Sequence, residues 1–231
     1  MRLRERLRDQ LRRLYRKPDG ATVDALAMQY LRPLLGELHA VPPFTSTSLR
    51  PVALALLVNE LRLNGRSRVL EFGCGVSTVV LAKAAQRYAP RARVLSIEQD
   101  ASWVDATAAT LAREGLDEYA SVVKVSTVAE DGRFDFGHPP ERLAAETFDL
   151  VCIDGPQAYR PQWRRARHGN LDLLHGRLAD TAAVLVDDVD RPDDLALLHA
   201  FAARGFAVQR LYDSVGLATR GPAFDTAPVR D

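Results

Sequence analysis

The chain of 231 residues is long enough to bury one full core, which favours a single compact domain with at most a small appendage. Hydrophobic residues at 47% and charged residues at 26% are ordinary for a soluble globular protein, and a formal net charge of +1 argues against a global field for nucleic acid. No apolar run reaches the length of a membrane span, and the first residues lack the apolar core of a signal peptide.

Residues 1–17 carry Leu3, Leu7, Leu11 and Leu14 at helical spacing with arginines between them. Such a basic amphipathic helix is expected to pack on the domain or on a second copy, with peripheral contact to an anionic membrane as the alternative. Pro18-Asp-Gly20 ends it, and a second helix is expected from about Thr22 to Leu38. A loop rich in hydroxyls follows, Pro42 to Pro51, in which Ser48 reads as the N-cap of an apolar helix Val52–Leu63.

From Arg68 onward short apolar, β-branched stretches alternate with helical ones, as expected of parallel strands covered on both faces. The strand candidates are Arg68–Phe72, Arg93–Ile97, Ser121–Val125, Phe148–Ile153, Ala182–Val186, Phe206–Tyr212 and Val215–Thr219. Between them lie helical segments Ser77–Tyr88, Ser102–Glu114, Pro161–Leu174 and Asp193–Arg204, with Gly115 and Gly205 in helix-stop positions. The last two strands are separated only by Asp213-Ser214 and should form an antiparallel hairpin. Residues 130–146, with two glycines and two prolines, read as an excursion over the sheet. Cys74 and Cys152 form no metal-type pair, so a reducing cytoplasm is the expected compartment.

The first strand ends in Glu71-Phe-Gly73-Cys-Gly75-Val-Ser77-Thr78 and turns directly into a helix, while the second ends in Glu98. Glycines there let backbone N–H groups approach a ligand, and an acid at the next strand end can accept ribose hydroxyls. The third glycine of a dinucleotide fingerprint is missing, which makes a dehydrogenase a weak reading. Glu71 would repel a pyrophosphate but suits a cationic ligand with a free amine. This E-x-G-x-G pattern with its later acid resembles the class I S-adenosylmethionine (SAM)-dependent methyltransferases. The resemblance covers roughly residues 65–220. It implies an α/β fold with a Rossmann-like seven-stranded sheet and a C-terminal antiparallel hairpin. Residues 1–64 would then be a helical extension acting as lid or dimer element, and residues 65–231 the SAM-binding domain. Glu71, Gly73, Gly75, Ser77, Glu98 and Gln99 are the positions it implies for the cofactor.

Two further strands deliver acids to the same edge, at Asp154 and at Asp187-Asp188. In the strand order of that fold the three carboxylates converge. Close acids repel, so the cluster suggests a bound cation, and an all-oxygen donor set favours Mg²⁺, Mn²⁺ or Ca²⁺ over zinc. The pattern is similar to the metal-dependent O-methyltransferases of the catechol and caffeoyl-CoA type, which implies Asp154, Asp187 and Asp188 as ligands. Gln157 stands where those families carry lysine, and Asp-Asp replaces their Asp-Asn pair. The run Ile153-Asp-Gly-Pro-Gln-Ala-Tyr159 also looks like sugar and polysaccharide O-methyltransferases, whose acceptors are glycan hydroxyls. The alternative for the Asp187-Asp188 pair is an N-cap of the next helix.

After Asp154, arginines and aromatics (Tyr159, Arg160, Trp163, Arg164, Arg165, Arg167) suit a planar or anionic acceptor, or else a solvated helix face. His168 is a candidate general base because its ordinary pKa lies near neutrality. Asp154 and Asp187 are the other catalytic candidates. The expected activity is SAM-dependent O-methylation of a small molecule or sugar, without nucleic acid and with a homodimer left open. The rivals are an N- or protein methyltransferase on the same fold and a non-catalytic SAM-fold partner-binding protein. The Asn/Asp-Pro-Pro-Tyr element of amino-methylating enzymes is absent, and Ile153-Asp-Gly-Pro156 stands in its place.

Overall fold

A computed structural model describes residues 20–126, 128–130, 133–135, 143, 146–158, 163 and 165–229. The expected basic helix at residues 1–17 lies outside the described residues. Helices α1 (Gly20–Leu35) and α2 (Pro51–Leu63) precede strand β1 (Arg68–Phe72), helix α3 (Val76–Tyr88) and β2 (Arg93–Glu98). Helix α4 (Ala101–Arg113), β3 (Ala120–Lys124), β4 (Val128–Glu130), β5 (Arg133–Asp135) and β6 (Phe148–Ile153) follow. A 3₁₀ turn (Ala166–His168) leads into α5 (Gly169–Leu173), β7 (Leu178–Val186), α6 (Pro192–Ala202), β8 (Ala207–Leu211) and β9 (Val215–Arg220).

Seven strands form one sheet in the order β3-β2-β1-β6-β7-β9-β8, parallel from β3 to β7, with β9 antiparallel to β7 and β8 antiparallel to β9. Expected and observed strands differ by at most a few residues at their ends. The exception is residues 128–135, where β4 and β5 pair as a small antiparallel ribbon that no expected strand covers. Three-residue strands carry too few alternating positions to register as a period-2 pattern.

Alternation across the strands builds two cores. Val69, Leu150, Cys152, Ala183 and Leu185 face one layer of helices, and Leu70, Phe72, Val151, Ile153 and Val184 face the other. Helix α2 is buried from Val52 through Leu61, including Asn59 and Glu60. The charge of Glu60 is met by Arg66 Nε at 3.0 Å and its other oxygen by Thr226 Oγ1 at 2.7 Å. Helices α1 and α2 therefore share one continuous core with the sheet.

The N-cap expectation at Ser48 is corrected. Arg50 holds the cap position in extended backbone with no side-chain cap bond, and Ser48 Oγ instead accepts from the Thr45 N–H at 2.9 Å. The free N–H of Val52 is taken by Asp24 Oδ1 at 3.2 Å, so tertiary packing of α1 supplies what a local cap would have. Gly115 and Gly205 do end α4 and α6, with φ of +64° and +82°. The described part of the expected helix 161–174 is the 3₁₀ turn and α5.

Candidate active site

The register of the sheet aligns a row of functional residues. Phe72 pairs with Ile97 on one side and Ile153 on the other, and Ile153 pairs with Val186. The residues one step beyond, Glu98, Gly73, Asp154 and Asp187, therefore stand side by side along the carboxyl edge. The chain leaves β1 toward β2 and β3 but continues the sheet on the opposite side with β6 and β7, so this row straddles the topological switch point. A cavity of about 530 Å³ opens there, within the range of small-ligand sites.

The turn after β1 is held by close backbone approach. Gly73 adopts φ of +101° and Gly75 φ of +149°, regions that disfavour a Cβ. Phe72 O accepts from Asp154 N at 3.2 Å and Gly155 N at 2.6 Å. A Cβ at Gly155 would lie 2.9 Å from Gly73 N and 3.1 Å from Phe72 C and O. All three contacts are backbone and cannot swing away, so Gly155→Ala is expected to cost about 1–3 kcal/mol through overpacking. Thermal unfolding checks this; an unchanged Tm would show that the two loops do not pack as tightly as this.

Glu71, expected to face a ligand amine, lies behind the turn. It is 1% exposed and is not among the cavity-lining residues. Its Oε2 accepts from Thr78 Oγ1 at 2.6 Å and from Ser96 Oγ, while Oε1 is buried with no partner among the described residues. Burial raises its pKa, against the pull of the Ser77, Ser96 and Thr78 hydroxyls. Thr78 Oγ1 also accepts from Gly75 N at 3.2 Å, so Glu71 acts on the turn through Thr78.

Gly73, Gly75, Ser77, Glu98 and Gln99 do line the cavity. Glu98 Oε1 accepts the N–H groups of Gln99 at 2.7 Å and Asp100 at 2.8 Å, which fixes the carboxylate at the rim. Its pKa is raised by burial, the backbone N–H groups opposing. Trp103, one turn into α4, forms the adjoining wall and packs beside Gly75. The sequence reading missed it, although an aromatic in the first turn after Glu98 was the available signal. Cys74 is also in the wall, its thiol pushed up to about 12 chiefly by burial, hence a neutral thiol.

The opposite wall is acidic. Asp154, Asp187 and Asp188 offer carboxylate oxygens all within 4.8 Å of one another, as expected of the strand ends. What the reading of residue types did not foresee is the position of Arg167. Its side chain is 4% exposed and its guanidinium sits within the cluster. Nε donates to Pro156 O at 3.2 Å, Nη1 to Asp187 O at 3.1 Å, and Nη2 to Asp154 O. Nη2 also lies 3.1 Å from Asp188 Oδ2 and 3.4 Å from Asp154 Oδ1, and Nη1 lies 3.7 Å from Asp194 Oδ1. Arg191 Nη1 reaches the same Asp188 Oδ2 at 3.0 Å. Asp187 Oδ1 is buried without a partner among the described residues, and burial followed by the charge of Asp188 pushes this carboxyl up to about 6. Burial also raises Asp154, and Asp194 to about 6.

This geometry corrects two expectations. His168 does not line the cavity; its Nε2 is 3.0 Å from the backbone oxygen of Asp193, so it stands outside the space where a general base was expected. The arginine-aromatic stretch does not form an anion-binding wall among the described residues. Arg167 is turned into the acids, Arg165 is exposed, and Trp163 packs edge-on against Phe134 with centroids 5.4 Å apart. Tyr159, Arg160 and Arg164 lie outside the described residues.

The rim is completed by Thr45–Ser48 and by the β8–β9 turn at Asp213-Ser214. Arg50 ties these together, donating to Asp24 Oδ2 at 3.0 Å, Tyr212 O at 2.7 Å and Ser214 Oγ at 3.0 Å. Asp188, Tyr212 and Asp213 have positive φ of 61°, 50° and 66°, and such strained non-glycine residues gather at functional sites.

A family model described as a methyltransferase domain matches residues 70–189, more than half of the chain. Ribosomal RNA small subunit methyltransferase C of Pseudomonas aeruginosa (strain LESB58) is 35% identical over 108 residues, which are 46% of this chain and 32% of that protein. The match thus spans under a third of the length of that relative. An O-methyltransferase from Bacillus cereus in complex with SAH superposes with a TM-score of 0.53 at 13% identity, covering 92% of this chain and 96% of that one. The O-methyltransferase TomG from Streptomyces achromogenes in complex with SAM gives 0.51 at 19% identity, covering 92% and 95%. Precorrin-6y C5,15-methyltransferase from Geobacter metallireducens gives 0.56 at 14% identity, covering 78% and 94%. At these identities the structural likeness speaks for the fold, and the family match speaks for descent: the chain belongs to the methyltransferase-domain family.

Proposed function

We propose that the protein is a SAM-dependent methyltransferase acting on a hydroxyl oxygen of a small molecule or sugar. The observation that carries this reading is the single row along the sheet edge, with Glu98 and the glycine turn at one end of the cavity and Asp187 at the other. The cavity fits the cofactor: two glycines leave the backbone bare, Glu98 is aimed by two N–H groups, and Trp103 offers a flat wall for a base. Bound there, SAM supplies a methyl carbon whose bond to sulfur breaks as the acceptor oxygen bonds to it, the electron pair leaving with sulfur.

Gly73, Gly75, Ser77, Glu98 and Gln99 bind and orient the cofactor in this reading, and Glu71 fixes the turn from below. Asp187 accepts the hydroxyl proton on its carboxylate, and Asp154 lines the same wall. Holding oxygen, methyl and sulfur in line supplies most of the rate. Among the described residues, six cavity-lining acids (Glu98, Asp154, Asp187, Asp188, Asp190 and Asp213) outweigh three arginines, which favours neutral or cationic acceptors over carboxylates and phosphates. The hydroxyls of Thr45–Ser48 suit a polyhydroxylated acceptor.

A second reading comes from the Pseudomonas aeruginosa relative, whose name specifies small-subunit ribosomal RNA. The acidic rim opposes a polyanion, and Ile153-Asp-Gly-Pro156 is not an amino-methylating element. Calorimetric titration with S-adenosylhomocysteine (SAH), followed by acceptor assays with phenols, glycosides and ribosomal RNA, separates the two. Glu98→Ala is expected to weaken SAH binding roughly 10- to 100-fold, the worth of charge-assisted hydrogen bonds. Wild-type affinity in that variant would count against the cofactor reading.

A further inference from the structure

We propose that the guanidinium of Arg167 is the resident cation of the Asp154–Asp187–Asp188 cluster, so that methyl transfer in this protein proceeds without a divalent ion there. The inference rests on the methyltransferase reading above, but the occupancy of the acids is argued from their own contacts. A divalent ion needs free carboxylate oxygens at about 2.0–2.6 Å. Asp188 Oδ2 already faces two guanidinium groups, Arg167 Nη2 at 3.1 Å and Arg191 Nη1 at 3.0 Å. Asp154 Oδ1 faces Arg167 Nη2 at 3.4 Å. An ion bound by both oxygens would stand within about 6 Å of Nη2, from the 3.1 Å contact plus one metal–oxygen bond. Two cations would then compete for the same oxygens in a poorly solvated pocket.

Nor can the arginine readily withdraw. Its planar fork is anchored by acceptors that are not acids: Pro156 O to Nε, Asp187 O to Nη1 and Asp154 O to Nη2. Those carbonyls lie on the loops after β6 and β7, and Asn170 Nδ2 holds Gly155 O at 2.9 Å from the same segment. Its side chain is 4% exposed, so release would strand a buried charge. Among the described residues the buried oxygen Asp187 Oδ1 has no partner, and the guanidinium already neutralises the charge that would draw a divalent ion to the cluster. Arg167 is thus a positioning residue: it gathers the acids and leaves the Asp187 carboxylate for the acceptor hydroxyl.

The test is Mn²⁺ binding, followed by the paramagnetic resonance signal of the free ion, on the full chain with SAH present. Wild type should leave that signal at its protein-free level, and EDTA should leave turnover unchanged. The double variant Arg167→Gln/Arg191→Gln should withdraw Mn²⁺ from solution, and adding Asp188→Asn should abolish the effect; a merely structural arginine would not confer metal binding when removed. If the double variant does not fold, the wild-type arm decides alone. Mn²⁺ uptake by wild type that disappears in Asp188→Asn would overturn the proposal. The Mn²⁺ signal needs neither acceptor nor methyl transfer, unlike the EDTA arm, so its failure is distinguishable from loss of SAH binding, which would instead indict the methyltransferase reading.

Discussion

Arg167→Ala is expected to destabilise the folded protein by about 3–5 kcal/mol near pH 8, the usual consequence of leaving buried acids without their counter-charge. The size follows from burial: the guanidinium is 4% exposed and faces Asp154, Asp188 and Asp194 at once. The loss should shrink on acidification. Asp187 and Asp194 have folded pKa values raised from 3.8 to about 6. A raised acid contributes stability below its unfolded pKa and loses it as pH climbs through the folded value, here between about 4 and 6. Removing Arg167 raises these acids further, so the variant should be closest to wild type near pH 5 and furthest near pH 8. Urea unfolding at the two pH values measures both, and Arg167→Met controls for the packing of the stem. A loss below 1 kcal/mol that is flat with pH would mean that the acids do not depend on this arginine.

The second large effect belongs to Asp187. Asp187→Asn keeps the shape of the side chain but removes the carboxylate, and turnover is expected to fall by about 10²–10⁴-fold, the range for loss of a positioned general base. SAH affinity should stay within a few-fold, because Asp187 lies at the far end of the row from Glu98. Steady-state kinetics on an accepted phenol or glycoside, paired with SAH titration, decides the matter. Full turnover in Asp187→Asn would move the base elsewhere, and Asp154, on the same wall, would be examined next.

Most of the fold was legible along the chain because it is written in local periodicity. The strands at Val69–Phe72, Val94–Ile97 and Leu150–Ile153 are short, apolar and buried on both faces, and glycines mark the helix ends at Gly115 and Gly205. The glycine turn and the acids at Glu98, Asp154 and Asp187 were legible for the same reason, since each directly follows an apolar run or closes one. The β4–β5 ribbon escaped notice because its strands are three residues long. Ser48 was misread because the group that satisfies the helix start, Asp24, comes from another helix.

What the sequence determined by itself is the succession of elements and the chemical types delivered to the carboxyl edge of the sheet. Tertiary structure alone decided the direction and company of each side chain. Glu71 and Glu98 are both acids at strand ends, yet one is sealed beneath Thr78 and the other lines the cavity. Arg167 and His168 are adjacent, yet one enters the acid cluster and the other rests on the Asp193 carbonyl. Gly155 must be glycine only because the loop after β1 passes 2.9 Å from where a Cβ would stand. The physical reason is one of range. Periodicity reports how a residue sits relative to its own strand or helix, whereas burial, ion pairing and loop contact are settled by groups far along the chain that only the packed sheet brings together.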